Sequence, residues 1–203
     1  MAGRGRAGHP KTGVDDGAHV VLIDETGLFL NPLVRRTWAP VGQTPVLDGW
    51  GRHREKVSVI GAVTVSPVAR RLGFYFATDP DGYFDTAKVV EFLRSLLRHL
   101  RGKVVVVWDG GANHEGEAMR AFLARTPRLR LERRPAYSPH LNPVEAVWSW
   151  LKYGRLANYA PPSVADLDAR ATGHPHDLGD HALLRRLWAG SELPFPALKP
   201  TQP

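Results

Sequence analysis

Three carboxylates, Asp24, Asp109 and Glu145, stand where a chain can assemble a metal site. Asp24 closes the apolar run in HVVLIDE, Asp109 closes the run in VVVVWDGG, and Glu145 ends YSPHLNPVE, with 35 residues between the last two. Two aspartates at the ends of buried-type strands supply short, rigid oxygen ligands, and a glutamate at the start of a helix closes the set from a third side. Sites that bind two divalent ions need such hard oxygen donors with open positions. One ion activates a water or hydroxyl and the other stabilises the leaving oxygen, which is the chemistry of phosphodiester cleavage and transfer on DNA. Each residue also has a plain structural reading. An aspartate after a strand is a common turn former, and Glu145, three residues after Asn142, fits a capping box. The case rests on the three together, in this order.

The elements that must position them follow from periodicity. Residues 1–18 are Gly-rich and basic without a pattern and read as a flexible lead-in. HVVLID (19–24) reads as a strand covered on both faces. Residues 27–55 are irregular, broken by Pro40, Gly42 and Pro45. KVSVIGAVTV (56–65) and LGFYFA (72–77) form an antiparallel hairpin about Ser66 and Pro67. Helical spacing over 85–101 ends at Gly102, and a strand follows at 103–108. A short helix (115–125) and a strand (129–133) come next. Asn142 then offers an N-cap and Pro143 the first position of a helix running to about Tyr153. Two weaker helices, 163–171 and 181–189, precede a Pro-rich tail. A right-handed crossover through the 85–101 helix sets 103–108 parallel to 19–24, and if the two strands are neighbours Asp24 and Asp109 share the carboxyl edge of an α/β sheet, where ligand sites gather.

Composition bounds the partners. A chain of 203 residues with 43% hydrophobic and 23% charged residues is the size of one domain with a sizeable core. No apolar run is long enough to span a membrane, and the first residues lack the apolar stretch of a signal peptide. With no cysteine, disulfides and thiolate metal sites are excluded, which fits a cytoplasmic location. A net charge of +7 favours a polyanionic partner such as DNA or RNA, with a merely soluble surface as the plain reading, and some of the arginine excess fits GC-rich coding.

Candidate phosphate contacts are Arg52, Arg54 and Lys56 before the hairpin, His114 after the second aspartate, and Lys152 and Arg155 two and nearly three turns beyond Glu145. His114 reads equally as a polar helix start, and Lys152 and Arg155 as a solvated helix end. Trp148 and Trp150 read as core residues or as base-stacking platforms. The loop HPHDLGDH (174–181) has the residue types of a zinc site but no spacing that closes one, and reads as polar surface. Neither a phosphate-binding Gly-rich loop nor a GxSxG elbow is present.

Residues 19–160 resemble the catalytic domain of mariner-type DDE transposases, and among them the bacterial insertion-sequence transposases. The resemblance is carried by Asp24-Glu25-Thr26-Gly27, by Arg36-Thr37-Trp38-Ala39-Pro40-Val41-Gly42, by Asp109 with His114 five residues on, and most specifically by YSPHLNPVEAVWSWLK. It implies a ribonuclease-H-like (retroviral-integrase-like) α/β fold, a mixed five-stranded sheet flanked by helices. Residues 161–203 would then be a C-terminal helical extension and tail of the same domain. It also implies that Asp24, Asp109 and Glu145 are a catalytic, metal-binding triad for two Mg2+ ions, for which Mn2+ substitutes, and that the activity is DNA strand cleavage and strand transfer.

Two features depart from the family pattern. Gly110 stands where an asparagine usually follows the second aspartate. No helix-turn-helix DNA-binding region precedes the first strand, so the expectation is a catalytic half, either the second product of a split frame or a truncated copy. Its expected partners are duplex DNA, a separately encoded helix-turn-helix half and a second copy of the chain, in a bacterial cytoplasm at the nucleoid. Two other readings stay open: a relic that binds DNA or an intact transposase without catalysis, and a housekeeping nuclease of the same fold.

Overall fold

The computed structural model describes residues 17–47, 55–68, 71–109, 116–134, 139–174, 177–178, 181–191 and 193. Its centre is a five-stranded sheet: β1 (His19–Phe29), β2 (Lys56–Val65), β3 (Leu72–Asp79), β4 (Val104–Trp108) and β5 (Leu129–Arg133), in the order β3-β2-β1-β4-β5. β1, β2 and β3 pair antiparallel, whereas β4 runs parallel to both β1 and β5. The expected mixed α/β sheet is therefore the one observed.

Both faces are covered, which is why the central strands read as continuous apolar runs. On one face lie α1 (Thr86–His99) and α2 (Glu117–Ala124). Val89, Leu93 and Leu96 of α1 and Met119 of α2 pack against Val21, Ile23, Ile60, Val104 and Val106. On the other lie α3 (Pro143–Ser149), a π-helical segment (Trp150–Arg155), α4 (Val164–Gly173) and α5 (His181–Ala189). There Val144, Trp148, Leu151, Leu167, Leu184 and Trp188 share one core with Val20, Leu22, Val63, Val105 and Val107. Even-numbered residues of β1 and odd-numbered residues of β4 thus face α3, as strand alternation requires.

Local chemistry sets the element ends. The Asp85 side chain accepts from the Lys88 backbone N–H and starts α1. At the other end, Leu100 closes the helix and Gly102 turns the chain with φ +86°. Arg128 donates to the carbonyls of Leu97, Leu100 and Gly102, placing a cation where the helix leaves partial negative charge. No helix among the described residues is long and apolar enough to cross a membrane.

Several boundaries differ from the sequence expectation by a residue or more. β1 continues five residues past Asp24, because its ladder with β2 runs on to Phe29–Lys56 after the apolar pattern has ended. β3 likewise extends to Asp79. The helix expected from Pro143 to Tyr153 is α-helical only to Ser149 and then widens into the π segment, where the Leu156 N–H reaches back five residues to the Leu151 carbonyl.

Candidate metal centre

Asp24 and Asp109 meet through strand register. β1 and β4 pair from His19–Val104 to Leu22–Val107, and continuing that register two residues sets Asp24 opposite Asp109. The row extends both ways. Gly61 of β2 pairs with Asp24, and Phe76 of β3 pairs with Gly61. On the far side the last β4–β5 pair is Trp108–Arg133, which sets Arg134 beside Asp109, and the Arg134 N–H donates to the Trp108 carbonyl at 2.7 Å. Alternation turns Asp24, Asp109 and Arg134 toward the α3 face.

Glu145 comes to that face on α3. The Asn142 side chain caps the helix by accepting from the Val144 N–H at 3.2 Å, and Pro143 fills the first position, where a missing N–H costs nothing. Glu145 follows in the first turn, exposed on the side away from Val144 and Val147, which are buried. Val144 and Val147 pack into the sheet, so α3 stands directly over β1 and β2.

The electrostatics bind the set together. The Asp24 carboxyl is pushed up to about 6, first by burial, then by the charge of Glu145, with Asp109 adding to the rise. A hydrogen bond from the Trp148 indole and the charge of Arg134 oppose it. Lys152, half-buried, donates from Nζ to Thr26 Oγ1 at 2.5 Å. Burial lowers its ammonium below the usual lysine range, while Glu145 and Asp24 pull the other way. Two carboxylates on facing elements, a third in register beside the first, and two cations within electrostatic reach make a charged cleft at the carboxyl edge of the sheet.

The donor set is all carboxylate oxygen, which suits a hard divalent cation. Asp24 and Asp109 share a face and an edge of the sheet, yet among the described residues no group of three His, Cys, Asp or Glu side chains stands close enough together to hold a metal ion.

The other expected contacts are distributed unevenly. Lys56 opens β2 exposed, and alternation puts it on the α1 face, away from the carboxylates. The Arg155 guanidinium pairs with Asp177 at 3.0 Å and lies over the Trp150 ring at 5.2 Å, tying the π segment to the chain beyond α4. Arg52, Arg54 and His114 lie outside the described residues, as do 175, 176, 179 and 180 of the HPHDLGDH loop. Asp79 accepts from the Lys88 ammonium and Asp85 caps α1, so neither belongs to the cleft.

Three contributors were not anticipated. Trp148 donates from Nε1 to Asp24 Oδ2 at 2.9 Å, Thr26 accepts from Lys152, and Arg134 flanks Asp109. The Trp148 role was accessible from its spacing, one helical turn after Glu145, and from the glycine inside the β2 run, which signals a close approach. Thr26 and Arg134 carry no such signal.

Among solved structures, the Mos1 mariner paired-end complex with Mg is similar over 86% of this chain and 52% of that one, at 20% identity and a TM-score of 0.59. The Mos1 strand transfer complex is similar over 83% of this chain and 50% of that one, at 21% identity and a TM-score of 0.57. The catalytic domain of Mos1 mariner transposase matches over 90% of this chain and 84% of that one, at 16% identity and a TM-score of 0.51. At these identities the likeness concerns the fold, which is the ribonuclease-H-like one expected. The chain spans about half the length of the matched chains in the paired-end and strand transfer complexes. No curated protein matches the sequence. The family description "DDE superfamily endonuclease" matches residues 19–168, which takes in Asp24, Asp109, Glu145 and the whole sheet, and the chain belongs to that family.

Proposed function

We propose that this chain is the catalytic domain of a mariner-type DNA transposase that cleaves DNA strands and joins the freed end to a target, using two Mg2+ ions, for which Mn2+ substitutes. The observation that carries the reading is the register of Asp24 and Asp109 beneath Glu145, inside the region matched by the family. Asp24 and Asp109 would hold one ion between them and Glu145 would complete the second position. Bound there, the ions supply an activated oxygen nucleophile and stabilise the departing oxygen.

The remaining tasks fall to the chain. Trp148 holds one oxygen of Asp24. Lys152, anchored on Thr26, keeps a positive charge beside Asp24 and Glu145, where a phosphate would approach. Arg134 places a second cation at the far end of the row. Support for DNA as substrate comes from the +7 net charge and from the transposon-end complexes of Mos1.

Residues 161–203 are taken as part of the same domain, because Leu167, Leu184 and Trp188 share the core under α3. A separately encoded helix-turn-helix half, a second copy of the chain and a bacterial, nucleoid-associated setting complete the proposal.

The test is a nicking and strand-joining assay on transposon-end duplex DNA with Mg2+, with and without an added helix-turn-helix half, for wild type, Asp109→Asn and Glu145→Gln. Mg2+-dependent nicking lost in both variants is expected. Binding without nicking would indicate a relic, and preference for an RNA–DNA hybrid would indicate a housekeeping nuclease.

A further inference from the structure

Trp148 does more than fill the core. Its indole is 4% exposed and packs closely against β2 at Gly61, where a Cβ would stand 2.6 Å and 2.9 Å from two atoms of the six-membered ring. The edge of Phe74 closes on the same ring, with centroids 6.4 Å apart and planes at 78°. Gly61 is the register partner of Asp24. A strand position without a side chain therefore makes the slot, the indole fills it, and its N–H emerges at the neighbouring strand to meet Asp24 Oδ2 at 2.9 Å. An indole N–H only donates, so it holds one carboxylate oxygen in a fixed place and leaves the other free.

The same residue sits one turn after Glu145 on α3. One hydrogen bond thus joins the helix that carries one acidic group to the strand that carries another, although the two charges repel. Ring packing against Gly61 and Phe74 resists that repulsion. Preorganisation of this kind is what a site needs if its ligands are to be in place before the ion arrives.

We propose that Trp148, seated in the slot at Gly61, is a positioning residue that fixes the rotamer of Asp24 and its distance from Glu145, and so sets the divalent-cation affinity of the site. The inference rests on the assignment of Asp24 and Glu145 as metal ligands.

Two measurements on the full chain test it. Mn2+ binding is followed by the electron paramagnetic resonance of free Mn2+, and melting is followed in metal-free buffer. Trp148→Phe keeps a flat ring and loses the donor. It is expected to bind Mn2+ about tenfold more weakly, the order of effect of one hydrogen bond to a charged group, while melting close to wild type. Gly61→Ala keeps the donor but displaces the ring, and is expected to weaken Mn2+ binding as well.

Should Trp148→Phe fail to fold, the wild type supplies a second readout in its six indole N–H resonances. One of them should be protected from exchange and should move on titration with Mg2+, and Asp24→Asn should abolish that response. Unchanged Mn2+ affinity in a folded Trp148→Phe, or no indole responding in a wild type that binds Mg2+, overturns the inference and leaves the metal assignment standing. A wild type that binds neither ion overturns both.

Discussion

Asp24 on β1 and Glu145 on α3 are coupled by charge: after burial, the glutamate is the largest influence raising the aspartate's carboxyl, to about 6. The chain therefore holds two groups together that repel, against a background of packing that favours the folded state. That relationship makes the site measurable without DNA.

The first prediction is a pH signature. A carboxyl raised from 3.8 to about 6 keeps its proton more readily in the folded protein than in the unfolded chain. Its contribution to stability is full below about pH 4 and is lost as pH rises through about 6, and it amounts to about 2 to 3 kcal/mol. Asn in its place can still accept from Trp148 but does not titrate. In metal-free buffer, Asp24→Asn should therefore melt near wild type at pH 4 and above it at pH 7. A constant offset across that range would show that Asp24 is not strained.

The second prediction separates chemistry from capping at Glu145. Asn142 already caps α3 through the Val144 N–H, so Glu145→Gln should cost the helix no more than about 0.5 kcal/mol of dipole interaction. Relief of repulsion on Asp24 should offset that loss. Added Mg2+ should raise the melting temperature of wild type and hardly that of the variant. Equal Mg2+ shifts in the two proteins would reduce Glu145 to a helix-start residue.

The third prediction concerns the exposed segment after β1. Residues 32–47 run over the surface, with Trp38 99% exposed, and are tied down at Asn158. Asn158 adopts φ 58°, its N–H donates to the Leu33 carbonyl, its Oδ1 accepts from the Arg35 N–H at 2.7 Å, and its Nδ2 donates to the Arg35 carbonyl. Asn158→Gly keeps the left-handed backbone and loses the side-chain bonds, at a cost of about 1 kcal/mol. Asn158→Ala loses both, at about 2 kcal/mol. Trypsin should cut after Arg36 faster in both variants, and fastest in the alanine one. Unchanged cleavage would mean that the segment is held elsewhere.

How far the site was legible depended on whether its signal was local. Asp24 and Asp109 stand out in the sequence because each ends an apolar run, and Glu145 because Asn142 and Pro143 mark a helix start. β5 and α5 were bounded as observed for the same reason. Trp148 escaped because its partner is 124 residues away and its aromatic type already had an adequate reading as core. The lateral row from Gly61 to Arg134 is a property of strand register, which no single segment encodes. The change from α to π after Ser149 escaped because a five-residue backbone bond replaces a four-residue one without altering the apolar face that Val147, Trp148 and Leu151 present. It also alters the reach of Lys152, whose distance from Glu145 had been counted in α-helical turns.

The last prediction uses that lysine to separate two roles. Lys152 is half-buried, bonded to Thr26, and close enough to Glu145 and Asp24 to feel both. If it serves only to neutralise the carboxylates, Lys152→Gln should leave the salt dependence of DNA binding unchanged. It should then raise Mg2+ affinity, because a competing cation has gone. If it also meets a phosphate, as its place at the cleft suggests, the slope of log affinity against log salt should fall by about 1 in the variant. Nicking should fall with it by more than tenfold at saturating Mg2+. Arg134→Gln, at the other end of the row, gives the comparison: a similar loss of slope would mark both cations as walls of one phosphate track. The measurement is a binding isotherm on duplex DNA at several salt concentrations with Ca2+ in place of Mg2+, so that binding is read without cleavage. A slope unchanged in both variants, with Mg2+ affinity raised, would confine the two residues to balancing charge within the site.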